Sequence, residues 1–343
     1  MINHYCRDNT CIVLYNLAKL TIFCVPLLKK YTKKMKRLFL ATLIILTLAS
    51  CHKRAEYKKS AGKIFGTYYA ITYQSSEDLS MGMKEVMDNV NNSLSTFNKN
   101  SVISKINSNE DVVLDSLFIN MFTKAMEISE LTEGAFDITV APLVNAWGFG
   151  FDPSSDKKWL SAAEIDSIKQ FVGYKKVWIE GEKVVKSDPR VQLDASAIAK
   201  GYGCDLVAEY LRAMGSENFM VDIGGELVIS GVNPNGKKWR IGVSKPENSS
   251  DASVVEVLEI TDCAVATSGN YRQFYYTEDG MVGHTIDPRT GRPAVNNIVS
   301  ATIIAPTCME ADALATAAMV VSDSTVIKSW GRECKLIYKS DVD

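Results

Sequence analysis

SATIIAPTCMEADALATAAMVV, residues 300–321, contains two elements and the join between them. SATIIAP (300–306) is β-branched and closed by a proline, the pattern of a strand that stops at a turn. MEADALATAAMVV (309–321) is built from Ala, Leu and Met, strong helix formers, and its almost unbroken apolarity predicts a helix buried on most sides. Asp312 and Thr316 interrupt that run four positions apart, so they share one face. Burying an unpaired carboxylate costs roughly several kcal/mol, so Asp312 needs a partner or a metal. Two arrangements meet the need. Glu310 or Asp312 faces the helix dipole while Thr316 bonds back to a carbonyl, or the carboxylate and the hydroxyl face a ligand together.

Working outward, GKIFGTYYAITYQ (62–74) alternates and is aromatic and β-branched, an opening strand. DLSMGMKEVMDNVNNSLSTFN (78–98) has helical spacing with Met83, Val86, Val90 and Leu94 on one face, and LFINMFTKAMEISELTEG (117–134) is a second helix ending at a glycine. SAAEIDSIKQFVG (161–173) opens with a capping box. LDASAIAKGYGCDLVAEYLRAMG (193–215) starts as a strand end and becomes a helix stopped by Gly215. FMVDIGGELVISG and KWRIGVSKP read as paired strands. Helices and strands mix without a regular βαβ rhythm. The prediction is α+β: one large domain, 62–343, with a mainly antiparallel sheet flanked by helices.

The chain has 343 residues, 46% hydrophobic and 23% charged, ordinary for a globular protein. Its start is different. MKRLFLATLIILTLASC (35–51) has a basic beginning, an apolar run too short for an ordinary membrane span, and small residues before Cys51. This predicts a signal peptide over 35–50 that resembles a lipobox, with Cys51 lipidated and 51–61 a tether. Residues 1–34 are expected to be an overextended start. Without residues 1–50 the chain has 30 basic and 39 acidic residues, net −9, which argues against nonspecific nucleic-acid binding. Cys204, Cys263, Cys308 and Cys334 show no CxxC spacing. His284 is the only histidine beyond residue 52, which excludes a His-rich zinc or iron site and points any metal toward oxygen ligands, as Mg²⁺ or Ca²⁺ prefer.

No GxGxxG, GxxxxGK[ST] or GxSxG is present. Four segments carry the polar chemistry instead. In TEGAFDITVAPLVNAWGFG (132–150), Phe136 could stack on a planar heterocycle beside the acceptor Asp137, or the stretch is a helix end and a strand with Asp137 in the turn. In LDASAIAKGYG, Asp194 precedes a helix as a cap, or that helix start and Lys200 receive an anion. GHTIDPRTGRP (283–293) is good turn chemistry that also puts His284 near Asp287, a possible proton-handling pair. Asp312 and Thr316 complete the set.

TEGAFDITVAPLVNAWGFG, LDASAIAKGYGCD, DIGGE, ATSGNYRQFY, HTIDPRTGRP and EADALATAAMV, in this order, resemble the ApbE family, the FAD:protein FMN transferases once called thiamine-biosynthesis lipoproteins. The resemblance implies Mg²⁺-dependent transfer of FMN from FAD to a threonine or serine hydroxyl of a partner protein, with AMP leaving. It implies Asp312, Thr316 and the Ala197 carbonyl as metal ligands. It implies flavin-nucleotide contacts at Phe65, Phe97, Ala135, Phe136, Asp137, Asp194, Lys200 and Ile286. His284 matches a family histidine and is a candidate proton acceptor, with Asp287 beside it. The implied partners are flavoproteins of the bacterial cell envelope, and the implied location is the periplasmic face of a membrane, through lipid on Cys51. Two alternatives use the same residues: an FAD pyrophosphatase giving FMN and AMP, and a flavin-binding lipoprotein without chemistry.

Overall fold

The computed structural model describes residues 56–341 except 152–158, 245–253, 270–273, 278–279 and 296. Residues 1–34, the predicted signal peptide over 35–50 and Cys51 lie outside the described residues. The first element corrects the sequence reading twice. Residues from Glu56 onward, assigned above to a tether, are already in strand β1 (Glu56–Ile64). The stretch 62–74 is not one strand either, because Phe65 and Gly66 take φ of 50° and 73° and turn the chain into β2 (Thr67–Ser75). Two adjacent left-handed residues are the geometry of a two-residue hairpin turn.

Five more strands join this hairpin: β5 (Phe219–Ile223), β6 (Glu226–Ser230), β9 (Cys263–Gly269), β14 (Ile298–Ala305) and β15 (Glu333–Tyr338). The order is β1-β2-β5-β6-β9-β14-β15, and every neighbouring pair is antiparallel. Short hairpins lie outside it: β3 (Val177–Glu180) with β4 (Lys183–Lys186), β7 (Trp239–Ser244) with β8 (Val254–Ile260), β10 (Phe274–Thr277) with β11 (Gly280–Gly283), and β12 (Ile286–Asp287) with β13 (Arg292–Pro293). FMVDIGGELVISG is therefore its own hairpin, β5–β6, while KWRIGVS pairs forward with β8. The α+β reading with an antiparallel sheet holds.

The described helices are α1 (Ser80–Leu94), α2 (Val102–Asn107), α3 (Ser116–Leu131), α4 (Ala141–Ala146), α5 (Ala162–Lys169), α6 (Ala199–Ala213), α7 (Cys308–Val321) and α8 (Ser324–Ser329), with α6 and α7 lying on the sheet. Helix α7 is buried along nearly its whole length and packs on β9, β14, α3 and α6. Its alanines, with no long side chains to hold neighbours apart, let those elements close around it. Met83 and Met87 of α1 seal against α6 and β5 in the same layer.

The run after Asp137 is helical, not the strand that its apolar residues suggested. A 3₁₀ turn (Ile138–Val140) leads into α4, and Pro142 in its first turn suits a helix start. The capping box at α5 forms as read: Ser161 Oγ accepts from Glu164 N, and Glu164 accepts from Ser161 N. Ser161→Ala is expected to cost about 0.5–2 kcal/mol, read from the urea midpoint. Among the described residues no helix is long and apolar enough to cross a membrane.

Candidate active site

Helix α7 starts under a cap that sequence alone does not reveal. Asp205, on α6, accepts from Cys308 N and Met309 N, both at 2.8 Å, and the Thr307 hydroxyl accepts from Glu310 N. These acceptors satisfy the first amides of the helix. Asp312 is thus released from the capping role. Thr316 does not bond back to its own helix either; its hydroxyl lies 3.3 Å from Ser268 Oγ at the end of β9.

Asp312 is 2% exposed and tied to α6 at both oxygens. Its Oδ2 accepts from Gly201 N at 3.0 Å, and Oδ1 lies 3.6 Å from Lys200 Nζ. Lys200 Nζ is also 3.1 Å from Glu226 Oε1. Two buried carboxylates therefore share one ammonium. Burial alone would lower the pKa of Lys200, but Asp312 and Glu226 outweigh it and hold the ammonium above its ordinary range. Burial pushes Glu226 up to about 7 against the pull of Lys200. Among the described residues Glu226 Oε2 is buried with no hydrogen-bond partner.

This cluster forms part of the wall of a cavity of about 470 Å³. Phe97, Ala135, Phe136 and Asp137 line it, as do Asp194, Ala197 and Lys200. Ile286, His284, Asp312 and Thr316 complete the sequence-derived part of the lining. The volume lies within the range of small-molecule sites, roughly 300–1,000 Å³. Phe97 is 75% exposed at this site, and the His284 ring stands edge-on to Phe149 at 6.3 Å.

Two predicted residues are not in the lining. Asp287 is on β12, where side chains alternate, so Ile286 and Pro288 line the cavity and Asp287 does not. Its carboxylate accepts from Arg289 N and Nε at 2.9 Å and from Nη2 at 3.1 Å, holding the turn that Gly291 closes. The structure thus places the Asp287 carboxylate in the turn with Arg289 and outside the cavity wall. Phe65, at the β1–β2 turn, packs on Gly203 and against two hydrophobic clusters of the helix side and is not in the cavity lining.

Asp194 is not a helix cap, since α6 begins five residues later at Ala199; its Oδ1 accepts from Ser196 N at 2.9 Å, and burial raises its pKa. Asp137 is held by Thr139 N, Thr139 Oγ1 and Tyr174 N, each at 2.7 Å, and burial again raises its pKa. Its carboxylate thus fixes the Ala135–Asp137 corner.

A family model described as the ApbE family matches residues 65–335. The chain belongs to the ApbE family. The FAD:protein FMN transferase of Vibrio cholerae is 39% identical over 299 residues, 84% of this chain and 89% of that protein. The Escherichia coli (strain K12) protein of the same name is 32% identical over 290 residues, 81% of this chain and 82% of that one. Among solved structures, Flavin Transferase ApbE from Vibrio cholerae matches with a TM-score of 0.75 at 36% identity, covering 84% of this chain and 95% of that one.

In this ApbE chain, Glu226, Asp205, Thr267 and Ser268 are among the site residues that sequence reasoning left without a role. The signal for Glu226 was DIGGE, a double-glycine turn ending in an acid; Gly224 and Gly225 take φ of 72° and 104° there. Glu226 also sets a pH dependence. Its folded pKa of about 7 lies above its ordinary 4.5, so the fold holds a proton that the unfolded chain has released. That contribution is complete below pH 4.5 and is lost as pH rises through about 7. Stability is expected to fall across this window, and Glu226→Gln to flatten the fall, read as urea midpoints on both sides of pH 7.

Proposed function

We propose that this chain transfers FMN from FAD to a threonine or serine hydroxyl of a partner protein, releasing AMP. One observation carries the reading: Asp312 and Thr316 are freed from helix capping by Asp205 and line a cavity together with Lys200, Ala197 and the 135–137 corner. The acceptor oxygen forms a bond to the FMN-side phosphorus, the bond from that phosphorus to the AMP phosphate breaks, and the hydroxyl proton leaves. Such a transfer needs positioning and charge neutralisation more than a strong nucleophile.

Lys200 offsets charge on the diphosphate from a place fixed by Glu226 and Asp312. Phe97 and Phe136 offer apolar faces to the flavin ring. His284, in the lining, is positioned to take the hydroxyl proton. The donors fit Mg²⁺: one carboxylate from Asp312, the Thr316 hydroxyl and the Ala197 carbonyl are hard oxygens, with the remaining positions left to phosphate and water. When bound, Mg²⁺ would offset the negative charge of the diphosphate.

The acceptors we propose are flavoproteins of the bacterial cell envelope, met by a chain lipid-anchored at Cys51 and facing the periplasm. The 35–51 leader supports that location. The test uses a protein that natively carries FMN on a threonine, prepared without flavin. Incubated with this chain, FAD and Mg²⁺, it is expected to gain the mass of covalent FMN, and to gain nothing when Mg²⁺ is withheld. Free FMN and AMP beside an unmodified acceptor would replace transfer with hydrolysis.

A further inference from the structure

A second cavity, of about 290 Å³, adjoins the first across the sheet. Leu227 and Val265 are in its lining, and both cluster with Trp239 of β7. Their strand neighbours Val228, Ala264 and Ala266 pack instead into the helix-side cores. The cavity therefore lies on the sheet face away from α6 and α7. The two spaces meet at the end of β9. Thr267 lines both, while the next residue, Ser268, touches Thr316.

One wall of this cavity is a strand with an open edge. Arg240, Ile241, Gly242 and Val243 of β7 all line it, and among the described residues β7 pairs only with β8. Alternate residues of an antiparallel edge strand direct their N–H and C=O groups away from the partner, ready for another strand. The remaining polar groups suit a neutral main chain better than a small ion. The hydroxyls of Thr267 and Thr302 lie 2.9 Å apart, Asp222 accepts from Gly225 N, and Arg240 faces Glu259 at 3.6 Å.

We infer that this cavity seats an extended segment of the acceptor protein, added as a strand along β7, whose hydroxyl residue passes the end of β9 into the flavin cavity. The inference rests on the transfer reading above. Strand addition gives affinity through main-chain hydrogen bonds and leaves the hydroxyl-bearing side chain free to turn toward the phosphorus. It also separates the two substrates, with FAD on the helix side and the acceptor on the far face, joined at Thr267 and Ser268.

Amide hydrogen exchange on the full chain tests the seat without turnover, using the flavin-free threonine acceptor as probe. Exchange at residues 240–243 is expected to slow when the acceptor is added and to stay unchanged when FAD alone is added. Gly242→Trp, at an exposed position on the β7 wall, is expected to raise the acceptor KM at least about tenfold while FAD affinity, read by flavin fluorescence, stays within twofold. No slowing at 240–243, or an acceptor KM unchanged in Gly242→Trp, overturns the seat. If the wild-type chain leaves the acceptor unmodified, the transfer reading fails by itself; if it modifies the acceptor while β7 exchanges unchanged, only the seat fails.

Discussion

Asp312→Asn is expected to lower the rate of FMN transfer by about 10²–10³-fold, the scale seen when one preorganised electrostatic partner is removed from a reacting centre. The exchange keeps side-chain volume and keeps an oxygen for Gly201 N, whose 3.0 Å bond joins α7 to α6. It removes the charge that Asp312 presents to Lys200 and, on the proposed function, would present to Mg²⁺. Lys200 retains Glu226 at 3.1 Å, so its ammonium is not stranded and the fold survives. Asp312→Ala is harsher, because it also removes the acceptor of Gly201 N and opens space in a closed layer. Single-turnover transfer measured beside a thermal melt separates the two effects. Asp312→Asn should melt near the wild type and transfer poorly; normal transfer by Asp312→Asn would remove the carboxylate from the chemistry.

Gly201→Ala is expected to have the largest effect on stability. A Cβ there would sit 2.2 Å from the Cys308 carbonyl oxygen, 2.6 Å from its carbon and 2.8 Å from Asp312 Cβ. Two of those three atoms are backbone, so no rotamer change relieves the clash. Alanine would otherwise favour the helix by about 1 kcal/mol. Forcing α6 away from α7 should exceed that, at the upper end of overpacking costs, about 3 kcal/mol or more. The same displacement lengthens the Gly201–Asp312 bond, so transfer should fall together with the melting temperature. A variant as stable as the wild type would mean that the two helices do not approach as closely as described.

These two residues also show what could be read from the chain and what could not. Asp312 and Thr316 stood out because a polar pair at helical spacing in an apolar run is visible in one dimension. Alternation and turn residues likewise revealed the antiparallel α+β fold and the α5 capping box. What took the capping role from Asp312 was Asp205, more than a hundred positions away on another helix, and no local pattern announces a cap supplied across a helix pair. Ile138–Ala146 was misread because a short apolar run has no period that distinguishes strand from helix; Pro142 was the better guide. Asp287 was paired with His284 by nearness along the chain, whereas the turn holds its carboxylate against Arg289. Glu226 was overlooked because its meaning depends on Lys200, which only the packing of β6 against α6 brings within 3.1 Å.

The ratio of AMP released to acceptor modified tests the central claim most directly. Full chain, FAD, Mg²⁺ and the flavin-free threonine acceptor are incubated together, with AMP quantified by chromatography and the acceptor by intact mass. One AMP for each acceptor carrying FMN, with both lost in Asp312→Asn, is the predicted result. AMP in excess over modified acceptor, matched by free FMN, would contradict it and assign the cavity to water as the attacking group.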